Sequence, residues 1–176
     1  MQHAGSSRSL KASTIALTSS LLFIVSIVNP YVYHAAQILF VIIFTIGVLI
    51  VDMFGGATLI AFIAGLLNSP VSIVGPFIML AWLVRGSTTD LLFRILKIYG
   101  YHPFHSVRVA LAMTVSSLVT GLFHYGVMVK ALGLIPEPPL PLLALIFIVS
   151  AASTFMGAVI AVKLVNRLRR ELDWCT

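Results

Sequence analysis

ASTIALTSSLLFIVSIVNPYVYHAAQILFVIIFTIGVLIV, residues 12–51, runs for 40 residues without an Asp, Glu, Lys or Arg. A bilayer hydrocarbon core takes roughly 20 apolar residues per helix, so this one stretch holds two crossings. Asn29-Pro30-Tyr31 divides it, because proline disfavours the helical conformation in the residue before it. The pattern predicts helices over 13–28 and 33–51. Working outward, three further charge-free runs follow at 53–84, 109–129 and 138–162, of 32, 21 and 25 residues. Asn68-Ser69-Pro70 breaks the first of them into 55–67 and 71–84. Both halves are short for full crossings, and read either as two short tilted helices or as a re-entrant hairpin shielded by the rest of the bundle. The last two runs predict helices over 109–129 and 140–162.

Composition agrees with the runs. Of the 176 residues 60% are apolar and 9% charged, with a mean hydropathy of +1.09, where a soluble domain would carry far more surface charge. The net charge of +6 does not point to nucleic acid. The cations stand at the ends of apolar segments, as cytoplasmic-side bias requires. With the N-terminus inside, Arg8, Lys11, Arg85, Arg94, Lys97, Arg108, Lys163, Arg167, Arg169 and Arg170 fall inside and only Lys130 falls outside. The expectation is an all-α integral membrane bundle of about six transmembrane helices, one domain over 1–176. It would lie in the cell membrane, in contact with lipid, with both termini cytoplasmic. Arg8 and Lys11 ahead of an apolar run mimic a signal peptide, but no small-residue cleavage site precedes Asn29-Pro30 and more spans follow, so helix 1 is expected to be retained.

Between helices 4 and 5, Leu91, Leu92, Ile95, Leu96 and Ile98 recur at roughly helical spacing opposite Asp90, Arg94 and Lys97. This reads as an amphipathic cytoplasmic segment, lying on the inner surface or docking a partner helix. Segment 133–141, with Pro136, Pro138, Pro139 and Pro141, reads as a stiff external connector.

Polar groups inside a membrane are costly and often functional. They gather toward the expected outer face: Asn29, Tyr31, Tyr33, His34 and Gln37 around the first loop, Asn68 and Ser69 at the third turn, His124 and Tyr125 late in helix 5. Together these suit a pocket for a small heteroaromatic ligand. The bland alternative is that Tyr and His anchor helices at headgroup level, which applies best to Tyr31 and Tyr33 and least to the deeper Gln37 and His124. On helix 1, Ala12, Ala16 and Ser20 form a stripe of small residues that lets a second helix approach closely, within the bundle or from a partner. His102 and His105 are too few for zinc. The lone Cys175 gives neither a disulfide framework nor a Cys-based metal site. Ser116 or Ser117 with His124 on one helix lacks the geometry of a catalytic triad. Asp52 is expected to pair with a base such as Arg108. The chain has no phosphate-binding glycine loop with which to hydrolyse ATP. No cofactor and no catalytic residue are expected.

The Ala12-Ala16-Ser20 stripe, the segment GLLNSPVSIVGP over 65–76, and Gly86 and Asp90 beyond it resemble the substrate-binding S components of energy-coupling factor (ECF) vitamin transporters. The stretch from 68 through helix 5 is most similar to the thiamine/hydroxymethylpyrimidine branch. The resemblance implies that helix 1 docks, through Ala12, Ala16 and Ser20, on a transmembrane energising subunit driven by two ATPases. It further implies a vitamin bound near the outer face, capped by loop 1–2 and by the turn at Asn68. The chain departs from the family at Ser20, where Ala is usual, and at Asp90, where Glu is common. No acidic residue in the outer half balances thiamine's positive charge, which favours a neutral ligand.

Two other classes remain open. A structural or assembly subunit of another membrane complex would use the same stripe without a ligand. An intramembrane hydrolase would need Ser117 or His124 for turnover.

Overall fold

The computed structural model describes residues 3–28, 37–72, 74–133 and 136–173. Among them are six α-helices: α1 His3–Val28, α2 Gln37–Val51, α3 Gly56–Asn68, α4 Phe77–Ile95, α5 Ser106–His124 and α6 Leu140–Asp173. A π-helical stretch, Tyr125–Ala131, continues α5, and no strand occurs among the described residues. Three helical stretches, Arg8–Val28, Ser106–Ala131 and Leu140–Glu171, are long and apolar enough to cross a membrane. At 1.5 Å rise per residue, the 13 residues of α3 reach only about 20 Å. A short helix of this kind needs neighbours to cover its ends.

The helices close into a ring. α1 packs on α2 and α3, α4 on α3 and α5, and α6 completes the circuit between α5 and α2. Successive helices alternate in direction, so the start of α1 and the end of α6 meet at one end. There Leu10, Lys11 and Thr14 share a crevice with Val51, Asp52 and Arg169. The interior is filled by Leu22, Phe44, Leu49, Ile60, Phe93 and Met113, each fully buried. Large apolar side chains such as Leu17, Leu122 and Ile148 remain more than half exposed on the outside. This inside-and-outside apolarity is what a lipid-facing helix needs and what a water-facing one avoids.

α3 and α4 pack most intimately, and two glycines permit it. A Cβ on Gly86 would lie 2.7 Å from both the Ala61 Cβ and the Thr58 Cα, and one on Gly65 would lie 2.9 Å from the Trp82 Cβ. Small residues at such crossings let helix backbones approach. Gly55, with φ +88°, supplies the left-handed turn that starts α3. The first amides of α3 are satisfied across the bundle. Asp90 on α4 accepts from Ala57 N at 3.2 Å, Thr58 N at 2.8 Å and the Thr58 hydroxyl at 2.5 Å. Tyr99 donates its phenol to the same carboxylate. A carboxylate at a helix N-terminus is favoured by the open N–H groups and by the helix dipole.

Helix 4 corrects the sequence reading. The chain does not leave the helix at Val84. It stays helical to Ile95, and residues 85–95 form no separate surface helix. Arg85, Asp90 and Phe93, read as parts of a cytoplasmic loop, are buried. The charge-free criterion failed here because it measures apolarity, and Arg85 and Asp90 are charges inside the bundle. Asp52 is likewise not paired with Arg108: its Oδ2 lies 3.0 Å from His102 Nε2 and 3.9 Å from Arg169 Nη2. Arg169 also reaches the Leu49 carbonyl at 3.2 Å, and Asn166 makes two hydrogen bonds to the Phe104 backbone. α6 thereby pins the α4–α5 connector at the terminal end.

Candidate functional site

At the end of the ring opposite the termini, α2, α4, α5 and α6, with Ser26 of α1, surround a gap. Between them lies a cavity of about 600 Å³, within the size range of small-molecule sites. Its walls are apolar and aromatic: Phe40 from α2, Ile78 and Trp82 from α4, and Leu143, Ile146 and Phe147 from α6. Phe40 and Trp82 meet edge to face at 5.1 Å between centroids. Polar groups interrupt the walls at Gln37, Ser117, Thr120, His124, Tyr125 and Ser150. Gly121 leaves room for the Phe147 ring, since a Cβ there would lie 2.9 Å from its Cε1.

The lid comes from the α5–α6 connector. The change from α- to π-helix at Tyr125 widens α5 at the cavity mouth, and π-helical stretches are frequent at functional sites. Pro136 and Pro138 of that connector line the cavity as well. Glu137 holds them there, accepting from Lys130 Nζ at 2.5 Å and from the Tyr125 hydroxyl at 2.9 Å. These two donors, Lys130 first, draw the Glu137 carboxyl below its ordinary value.

Arg85 stands among the residues lining this cavity, only 7% exposed, with Nε and Nη2 lacking any hydrogen-bond partner among the described residues. Its guanidinium lies 4.9 Å from the centre of the Phe40 ring and 5.6 Å from that of Phe44. An arginine stays protonated in a protein, and an uncompensated buried charge costs about 3–5 kcal/mol. Ring-face contacts return about 0.5–2 kcal/mol, so the aromatic pair offsets only part of it. The described carboxylates of Asp52, Asp90, Glu137 and Glu171 are all engaged elsewhere.

Of the residues singled out in the sequence, Gln37, His124 and Tyr125 line the cavity together. Tyr31 and His34, with Asn29 and Tyr33, lie outside the described residues. Asn68 does not join them: it is buried at the end of α3 and donates to the Ala64 carbonyl at 2.9 Å. Ser117 is engaged with Ser150 and Thr154 on α6, at 3.3 and 3.2 Å, which makes it a helix-to-helix link and leaves His124 without it. Arg85, Phe40, Trp82 and Phe147 were missed in the sequence. The available signal was a lone arginine flanked by apolar runs on one side and by a Gly-Ser-Thr-Thr tract on the other.

On α1 the packing face is Thr18, Ser19, Leu22 and Val25, with the Ser19 hydroxyl donating to the Ile60 carbonyl at 3.1 Å. Ala12, Ala16 and Ser20 are exposed on its other side, so none of the described residues packs on the stripe. Among the described residues no three His, Cys, Asp or Glu side chains converge as a metal site would require. Comparison with protein-family profiles, with curated proteins and with solved structures returned no match.

Proposed function

We propose that this chain is the substrate-binding subunit of an ECF-type uptake transporter. It would take up a small heteroaromatic molecule, a vitamin or vitamin precursor, in the cavity between α2, α4, α5 and α6. The observation that carries this reading is the cavity itself: vitamin-sized, aromatic-walled and set with Gln37, His124 and Tyr125. Six membrane-embedded helices with both termini cytoplasmic fit the charge distribution. With Arg85 withdrawn from the count, Arg8, Lys11, Arg94, Lys97, Arg108, Lys163, Arg167, Arg169 and Arg170 still stand toward the terminal end, and the cavity then faces outward. The exposed stripe Ala12, Ala16, Ser20 is the docking surface for a transmembrane energising subunit with its two ATPases, since the described residues pack none of it.

The test is mass spectrometry of the protein purified gently from its own membranes. A stoichiometric small molecule supports the reading and names the substrate. An empty protein that carries a membrane partner but no ATPases supports an assembly subunit instead. Gln37→Ala and His124→Ala are each expected to weaken binding about three- to tenfold, one hydrogen bond being worth about 1 kcal/mol net. Unchanged affinity in both variants would remove these residues from the site.

A further inference from the structure

The Arg85 guanidinium restricts the chemistry of whatever occupies the cavity, on the reading that a small molecule does. Nε and Nη2, the two nitrogens without partners, form one edge of the planar group. Both are sealed from the open cavity, so the guanidinium meets an occupant through the part of it that still lines the wall, as an uncompensated positive charge suited to an anion. The side chain that carries them is 93% buried in the sense that only 7% of it remains exposed, and it belongs to the cavity wall. Among the described residues no second free cation stands beside it: Lys130 is paired with Glu137, and His124 is the one other described lining residue able to take up a proton. One buried positive charge matches one negative charge. A phosphate monoester carries nearly two and offers three oxygens, for which this wall has too few donors of positive charge.

We propose that the ligand is a monoanion, a small ring-bearing carboxylate whose carboxyl group pairs with the Arg85 guanidinium. Its ring lies against Phe40, Trp82 and Phe147. This excludes thiamine-like cations, which the guanidinium repels in a medium of low dielectric, and it makes a carboxamide a poor substitute for the acid.

The experiment is binding to the purified full-length protein in neutral-lipid nanodiscs, read by calorimetry. The probes are nicotinate, indole-3-acetate and biotin, each beside its uncharged carboxamide, with pyridoxal phosphate, inorganic phosphate and thiamine. The proposal expects at least one carboxylate to bind more tightly than its carboxamide by about tenfold or more, the worth of a charge-assisted pair. Arg85→Gln is expected to abolish that preference and Arg85→Lys to restore part of it. Removing an unpaired buried charge should leave folding intact, and a melting temperature of Arg85→Gln at or above that of the unliganded protein verifies this. Should Arg85→Gln fall well below it, the guanidinium is structural and the proposal is overturned. Phosphate compounds binding in an Arg85-dependent way replace the carboxylate assignment by a phosphate one. Binding of carboxamides or thiamine that survives Arg85→Gln overturns the anion inference but leaves the binding subunit standing. Absence of binding by every probe, with nothing co-purified, overturns both.

Discussion

Asp90 carries as much of this structure as any single residue. Its carboxylate takes two backbone amides and a hydroxyl from the first turn of α3 and a phenol from Tyr99. Burial, and then the bond to Asp90, push the Tyr99 phenol above its ordinary range, so it stays a donor at any physiological pH. Asp90→Ala leaves several buried donors without a partner at about 1–3 kcal/mol each, and a loss of roughly 3–5 kcal/mol follows. Asp90→Asn, which keeps an acceptor, should lose less. Thermal unfolding in one detergent ranks wild type above Asn above Ala; an Ala variant as stable as the wild type would remove Asp90 from this role. In the sequence Asp90 and Arg85 were both visible as charges, and both were assigned to a loop. A charge between apolar runs does not announce whether it ends a span or sits inside a bundle. What decides is the partner, which for Asp90 lies 32 and 33 residues away on α3, and for Arg85 is supplied by no described residue of the chain.

At the scale of elements, helix ends were legible where glycine or proline set them. α1 ends at Val28, just before Asn29-Pro30, and α3 at Asn68, just before Pro70, while α2 stops at Val51 because Asp52 turns left-handed, with φ +43°. Where only a change from apolar to charged marked the limit, the helices run on: α4 to Ile95 and α6 to Asp173. Gly86→Leu is predicted to drive α3 and α4 apart at their closest crossing, at a cost of about 1–3 kcal/mol, lowering the melting temperature. Gly126, beside which an added Cβ meets nothing within 4 Å, is the matched control.

The connector over the cavity carries a pH dependence. The Glu137 carboxyl is held below its ordinary value of 4.5, so the lid contact is fully present above that value and is lost as pH falls through the lowered one. Ligand release should therefore quicken in acid, as pH falls through the lowered value. Glu137→Gln should release faster at neutral pH and show no further acceleration in acid. Equal dissociation rates for wild type and variant at pH 7 would show that the lid does not govern release.

At the scale of the whole molecule, the all-helical bundle of six helices was largely readable, though not its ring order, because long charge-free runs leave a backbone few alternatives inside a bilayer. The cavity was readable only in part. Gln37, His124 and Tyr125 were picked out by polarity at one end of their helices. Phe40, Trp82 and Phe147 look like any other core aromatics until the ring places α2, α4 and α6 around a gap. The exposed stripe on α1 gives a prediction at this scale as well. Ala16→Trp should leave ligand affinity within about twofold, since Ala16 is remote from the cavity lining, yet abolish ATP-driven uptake in cells that carry the energising subunits. Uptake unaffected by that bulk would place the partner on another face.

The most direct test of an anion in the cavity is an experimental structure of the protein purified from its own membranes without added ligand. The expected result is non-protein density filling the cavity, flat between Phe40, Trp82 and Phe147, with an oxygen-bearing anionic group within hydrogen-bonding distance of the Arg85 guanidinium. A cavity closed by side chains, or occupied by a lipid acyl chain with Arg85 turned away, would contradict it.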